Sequence, residues 1–126
     1  MKPFKSRTSL LAVAGMLLFS GLTIGAEHAD EALKHAEQAA HSVGDSNAIK
    51  EHAAEALKHI DAAKAAGEPD KEKLQHLIHG EKDLKRAVED AKHFNTPSAG
   101  SDAGDAVHHL EKAQSQPQVK SPQQTQ

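Results

Sequence analysis

The sequence predicts an all-α protein, an antiparallel four-helix bundle, and three observations predict it. Apolar residues recur at i, i+3, i+4 and i+7 over four successive stretches, the period of one helix face. Short Gly-, Pro- and Asn-containing segments separate these stretches, and short connections favour antiparallel neighbours. An eight-residue phrase is nearly duplicated. His28-Ala29-Asp30-Glu31-Ala32-Leu33-Lys34-His35 returns 24 residues later as His52-Ala53-Ala54-Glu55-Ala56-Leu57-Lys58-His59, with only the third position changed.

The elements follow in order. Lys2, Lys5 and Arg7 precede an apolar run from Leu10 to Ile24, and Ile24-Gly25-Ala26 offers a small residue at the cut. Residues 1–26 therefore read as a cleaved N-terminal signal peptide, which predicts a periplasmic or secreted chain without a membrane anchor after cleavage. The first helix carries Ala29, Ala32, Leu33, Ala36, Ala40 and Val43 inward, and Gly44-Asp45-Ser46-Asn47 supplies its stop and the next N-cap. The second places Ile49, Ala53, Ala56, Leu57, Ile60 and Ala63 inward and ends at Gly67-Glu68-Pro69-Asp70, where the proline suits a helix start. A third runs from about Asp70 to Phe94 with Leu77, Leu84, Ala87, Val88 and Ala91 inward. Leu74 and Ile78 leave that stripe, which predicts a shift of phase near Gly80. Asn95 to Ser101 reads as a loop, and a shorter fourth helix runs from about Asp102 to Gln114. The bundle thus occupies residues 27–114, and residues 115–126, rich in Gln, Pro and Ser, form a disordered C-terminal tail.

Composition narrows the chemistry. The chain has 15 Lys+Arg against 18 Asp+Glu, a formal net charge of −3, and its leader is basic, so the mature part is more acidic still. That balance disfavours nucleic acid and anionic membranes and favours cations. There is no cysteine, hence no disulfide and no thiolate ligand. Met1 and Met16 both lie in the leader, so the mature chain also lacks the thioether that a soft Cu(I) site would use. The hydrophobic content is mostly alanine, which gives a thin core and modest stability.

The ten histidines are the chemical content of the chain. Within each phrase two of them stand seven residues apart, about 10.5 Å along a helix axis and on one side of it. They fall at the edge of the apolar stripe, where a bundle helix meets its neighbour. Six have an acidic residue four positions earlier: Glu31, Glu37, Glu55, Glu72, Glu89 and Asp105 before His35, His41, His59, His76, His93 and His109. Residues four apart are neighbours on a helix surface, so each pair could give one oxygen and one nitrogen to a divalent ion, or simply form an ion pair. His76 and His79 put two imidazoles on one turn. Catalytic arrangements are missing from the sequence. It has no His-Glu-x-x-His, no Cys-x-x-Cys-His and no paired Glu-x-x-His, so no enzyme is predicted.

The expectation is metal ligation at His28, Glu31, His35, His52, Glu55, His59, His76, His79, His93 and His109, with metal ions as the partner. The spacing does not decide for His41 and His108. Imidazole and carboxylate suit Cu(II) most strongly, then Ni(II) or Zn(II). The alternative is an envelope-stress or chaperone-like helical adaptor whose histidines sense acid. The blandest reading is a helical repeat with incidental histidines.

Over about residues 28–113 the sequence resembles the small metal-binding protein family, through His28-x-x-Glu31-Ala32-Leu33-Lys34-His35 and its copy from His52 to His59. The resemblance implies a periplasmic, histidine-rich four-helix bundle. It also implies reversible binding of several divalent ions, Cu(II) foremost, for metal buffering or scavenging. Carried over by position, it marks His28, His35, His52, His59, His79 and His109. His76 and His93 share the helical pattern without aligning to the phrase. The third and fourth helices depart from it, with Arg86 in place of the second histidine and Asp102 in place of the first, which implies fewer or weaker sites.

Overall fold

The computed structural model describes residues 21–68 and 70–115. Among them are four α-helices and no strand: α1 Gly21–His41, α2 Ser46–Ala66, α3 Lys71–Lys92 and α4 Thr96–Gln114. The expected leader, up to residue 20, and the expected tail, from residue 116, lie outside the described residues. α1 begins upstream of the expected cleavage point, and a Cβ placed on Gly25 would meet the Ala66 Cβ at 3.5 Å.

Local chemistry sets the ends of α2 and α3. Asp45 caps α2 by accepting from the Asn47 and Ala48 amides, both at 3.0 Å. Asp70 does the same for α3 with Glu72 at 2.9 Å and Lys73 at 3.2 Å. Gly67 closes α2 at φ +86°, a backbone region where a side chain is strained. At the end of α3 the same left-handed turn falls on Phe94, at φ 59° and 80% exposed.

The helices pack in sequence order around the bundle, α1 on α2, α2 on α3, α3 on α4 and α4 back on α1. His28 meets His59 while His35 meets His52, so α1 and α2 run in opposite directions. Gln114, at the end of α4, donates to the Ala29 carbonyl near the start of α1 at 3.1 Å. Alanine lines most of the interior, and Ile49, Ile60, Leu84 and Leu110 are the largest side chains buried completely. An alanine interior lets helix backbones approach, and it puts edge residues of adjacent helices within reach of each other. Gly80 belongs to the same economy: a Cβ there would lie 3.2 Å from Leu110 on α4. Among the described residues no helix is long and apolar enough to cross a membrane.

Three expectations change. The stripe of α3 runs unbroken through Leu77, Gly80, Leu84, Ala87 and Ala91, so there is no shift of phase; Ile78 simply faces outward at 45% exposure. Gly80 hid this continuity because a missing side chain reads as a gap in an apolar pattern. The predicted loop from Asn95 to Ser101 is mostly helix. α4 starts at Thr96 with Pro97 in its first turn, and buried Ala99 and Ala103 extend the stripe upstream. Proline is tolerated there because the first amides of a helix have no partner inside it. Val43, expected inward, lies beyond the end of α1 and is 89% exposed.

Candidate metal centre

The duplicated phrase sits on the two facing helices of the first hairpin. Antiparallel pairing sets the first histidine of one copy against the last histidine of the other. The four rings form one column along the α1–α2 seam. Ring centroids are 5.5 Å apart for His28–His59, 5.5 Å for His59–His35 and 6.0 Å for His35–His52. The His28 and His59 Nδ1 atoms approach to 3.2 Å. Two nitrogens of a tetrahedral zinc site stand about 3.3 Å apart, given Zn–N bonds near 2.05 Å. The pair makes a ring-to-ring hydrogen bond, and the same spacing fits two ligands of one ion. The Nδ1 of His35 is buried and has no hydrogen-bond partner among the described residues. A buried polar atom without a partner is costly, and a bound cation satisfies an imidazole lone pair.

The two glutamates of the phrase flank this column without joining it. Glu31 accepts from Lys34 at 2.6 Å, and Glu55 accepts from Lys58 at 2.5 Å. These lysine contacts chiefly hold both carboxyls below the usual carboxylate range, and the His35 and His59 rings add to the effect in each case. The carboxylates thus supply negative potential beside the imidazoles while their oxygens are engaged by ammonium groups. Each is exposed enough for the lysine to be displaced at little cost.

A second cluster lies on the α3–α4 seam. His76 and His109 bring their Nδ1 atoms to 3.5 Å, and the His79 and His109 rings meet in a T-shape at a centroid distance of 5.0 Å. His108 adjoins at 6.2 Å. The Asp83 Oδ2 lies 3.7 Å from the His109 Nε2, and the Asp83 Oδ1 lies 3.5 Å from the Arg86 Nη1. Burial holds the His109 imidazole below the ordinary histidine range; the neighbouring histidines reinforce this and Asp83 opposes it. The departures noted in the sequence fall on this hairpin. Arg86 and Asp102 replace the second level of imidazoles with opposite charges, and burial raises the Asp102 carboxyl while Arg86 lowers it. The α2–α3 seam holds ammonium and carboxylate groups instead, Lys64 and Lys85 each 2.5 Å from Glu81.

Of the predicted ligands, His28, His35, His52 and His59 gather on one seam, and His76, His79 and His109 on the other. His93 stands apart at the end of α3, bonded to Glu89 at 3.2 Å. That bond is the expected carboxylate–histidine pair of one helix. His41 bonds instead to the Glu37 carbonyl at 2.7 Å, Glu31 and Glu55 turn to lysine, and His109 turns to Asp83. Among the described residues no three His, Asp or Glu side chains converge in ready-made ligand geometry. The donors come as close pairs, and a third ligand requires a ring or carboxylate to swing in.

Asp83 is a site residue to which the histidine spacing gives no pointer. In the phrase it occupies the column that holds Ala32, Ala56 and Ala106 in the other helices, all fully buried. A carboxylate where the repeat demands a buried methyl was the available clue.

These features define a class: a small helical bundle that presents imidazole in pairs along the seams of its two hairpins. The chain belongs to the small metal-binding protein family, whose sequence model, described as "Small metal-binding protein", matches residues 5–113. Comparison with curated proteins returns no significant match.

Proposed function

We propose that this protein buffers or scavenges divalent transition ions, Cu(II) foremost and also Ni(II) or Zn(II), in the periplasm or outside the cell. The observation that carries this reading is the imidazole column of the α1–α2 seam, with the His28 and His59 Nδ1 atoms at 3.2 Å and the His35 Nδ1 buried without a partner. His28, His35, His52 and His59 supply nitrogen at that seam. His76, His79 and His109 supply it at the other, and Glu31 and Glu55 lend charge and a displaceable oxygen. Paired donors that must move to complete a coordination shell suit exchangeable cargo better than a permanently held cofactor. Membership of a metal-binding family supports the same reading. The basic n-region and apolar run before Ala26 support export.

The test is equilibrium dialysis of the untagged chain against mixed micromolar copper, nickel and zinc, with bound ions counted by native mass spectrometry. Bound copper that is lost between pH 7.5 and 5.5 is expected, because protons compete for imidazole nitrogen, which titrates near 6.5. A chain that emerges without metal, or whose metal is indifferent to this pH step, refutes imidazole ligation. Cleavage is checked separately by the mass of the exported protein, expected to begin at Glu27.

A further inference from the structure

The two imidazole seams differ in one respect that the repeat does not explain. Among the described residues no carboxylate oxygen comes within ion-pair distance of the rings of the α1–α2 column; Glu31 and Glu55 lie near enough to be felt by His35 and His59, but their oxygens are bonded to lysines. The α3–α4 cluster has such a carboxylate, and it is nearly buried: Asp83 is 9% exposed, with its two oxygens divided between Arg86 and His109. The two nitrogens of His109 face different groups. Its Nδ1 looks across the seam to the Nδ1 of His76 at 3.5 Å, and its Nε2 looks toward Asp83 at 3.7 Å. An imidazole offers one nitrogen to a metal and keeps its proton on the other. Which nitrogen is free depends on where the proton finds an acceptor. A carboxylate behind the ring draws the proton to its own side, fixes the ring's orientation and makes the opposite nitrogen a better ligand.

We propose that Asp83 is a positioning residue for a metal site on the α3–α4 seam: its negative charge, 3.7 Å from Nε2, favours the proton of His109 on that nitrogen and so presents Nδ1, together with the His76 Nδ1, to a divalent ion. This rests on the metal-binding reading above and adds to it a residue and a distinction. The separation of the two Nδ1 atoms is close to the roughly 3.3 Å edge of a tetrahedral zinc shell. His79, on the turn after His76 and in a T-shaped contact with the His109 ring, stands nearest to supply a third nitrogen. Asp83 itself stays outside the coordination shell, because it faces the nitrogen that the ion does not take. On the α1–α2 seam His28 and His59 instead face each other through Nδ1, with no carboxylate of the described residues within ion-pair distance of either ring.

The substitution that tests this is tolerated by design of the repeat. Asp83→Ala installs the residue found at the equivalent buried positions Ala32, Ala56 and Ala106. Asp83→Asn keeps an acceptor oxygen without the charge. Two measurements on the full untagged chain are needed, both by nitrogen-15 histidine NMR at pH 7.5. In the metal-free protein, His109 is expected as the Nε2–H form in the parent and in Asp83→Asn, and as a mixture in Asp83→Ala. On titration with Zn(II) alone, affinity at His76 and His109 is expected to fall 10- to 100-fold in Asp83→Ala and less in Asp83→Asn, with His28 and His59 unaffected. The proposal is overturned by a proton on His109 Nδ1 in the parent, by zinc on His109 Nε2, or by unchanged affinity in Asp83→Ala. Zinc at His28 and His59 but not at His76 and His109 overturns this proposal alone. Zinc at neither pair overturns this proposal, and it overturns the proposed function as well only when the dialysis finds copper and nickel unbound too.

Discussion

His59 is the hinge of the imidazole column, since its ring neighbours both His28 and His35 at 5.5 Å. Replacing it by alanine removes one nitrogen of the closest pair and leaves its partner as a lone donor. Loss of a group that merely orients a ligand weakens metal affinity about 10- to 100-fold, so loss of the ligand itself is expected to cost at least about 100-fold. At free metal equal to 100 times the parent's dissociation constant, binding stabilises the folded chain by about 2.7 kcal/mol. In His59→Ala the same concentration only matches the raised constant, and the stabilisation drops to about 0.4 kcal/mol. The difference, about 2.3 kcal/mol, corresponds to a melting shift smaller by roughly 9–18 °C for a domain of this size. Without metal the variant loses about one neutral hydrogen bond, near 1 kcal/mol, so its own baseline moves far less. The assay is a pair of calorimetric melts, with chelator and with copper, for parent and variant. If copper raises both melting points equally, the α1–α2 column is not the site, whatever else the chain binds.

Other expectations follow from the packing and charge of the fold. Leu110→Ala, at a position buried completely against Gly80, is expected to cost about 3 kcal/mol in urea unfolding, which an alanine-dominated core tolerates poorly. Phe94→Gly relieves a left-handed residue that makes little contact and is expected to raise stability by about 1 kcal/mol; a lower melting point would contradict the turn geometry. The hydrogen bonds from Lys64 and Lys85 hold the Glu81 carboxyl below its ordinary 4.5, so its contribution is present above that pH and is lost as pH falls below it. Glu81→Gln is expected to flatten the acid limb of a stability–pH profile below about 4.5 and to leave copper binding at pH 7.5 unchanged.

Helix periodicity was the legible part of this fold. Each apolar stripe specifies a face, and the faces of α1, α2 and the later part of α3 are the buried ones. Periodicity is silent where glycine interrupts it, as at Gly80, and where turn-forming residues stand in a first helical turn, as from Thr96 to Ser98. Which residues bond at the site was less legible, because helix spacing allows several partners and geometry chooses among them. The phrase itself carries a lysine three residues after each glutamate, and Lys34 and Lys58 take the oxygens that the histidine four residues on could have used. Which seams the histidines share was not legible at all, since an edge position says nothing about the neighbouring helix until the order of packing is known.

That order explains why a plain duplication suffices to build a metal-ligand column. The phrase begins and ends with histidine, and an antiparallel hairpin matches the beginning of one copy with the end of the other. Two copies in register therefore give two facing pairs without any further adjustment: His28 with His59, and His35 with His52. A parallel pairing would also bring like positions together, but it would need a long crossover in place of the short turn from Ser42 to Asp45. In the second hairpin His79 meets His109, and Arg86 lies near enough to Asp102 to lower its carboxyl while its guanidinium contacts Asp83. The first match keeps nitrogen donors; the second substitutes charges that attract each other and offer a metal far less. The change at Arg86 and the change at Asp102 thus belong to one structural level, as a pair of compensating substitutions would. A chain with Arg86→His and Asp102→His should regain a second level of imidazoles on the α3–α4 seam. Its copper stoichiometry should rise above the parent's, whereas either single change should add little. If the double variant binds no more copper than the parent, seam matching is not what sets the number of sites.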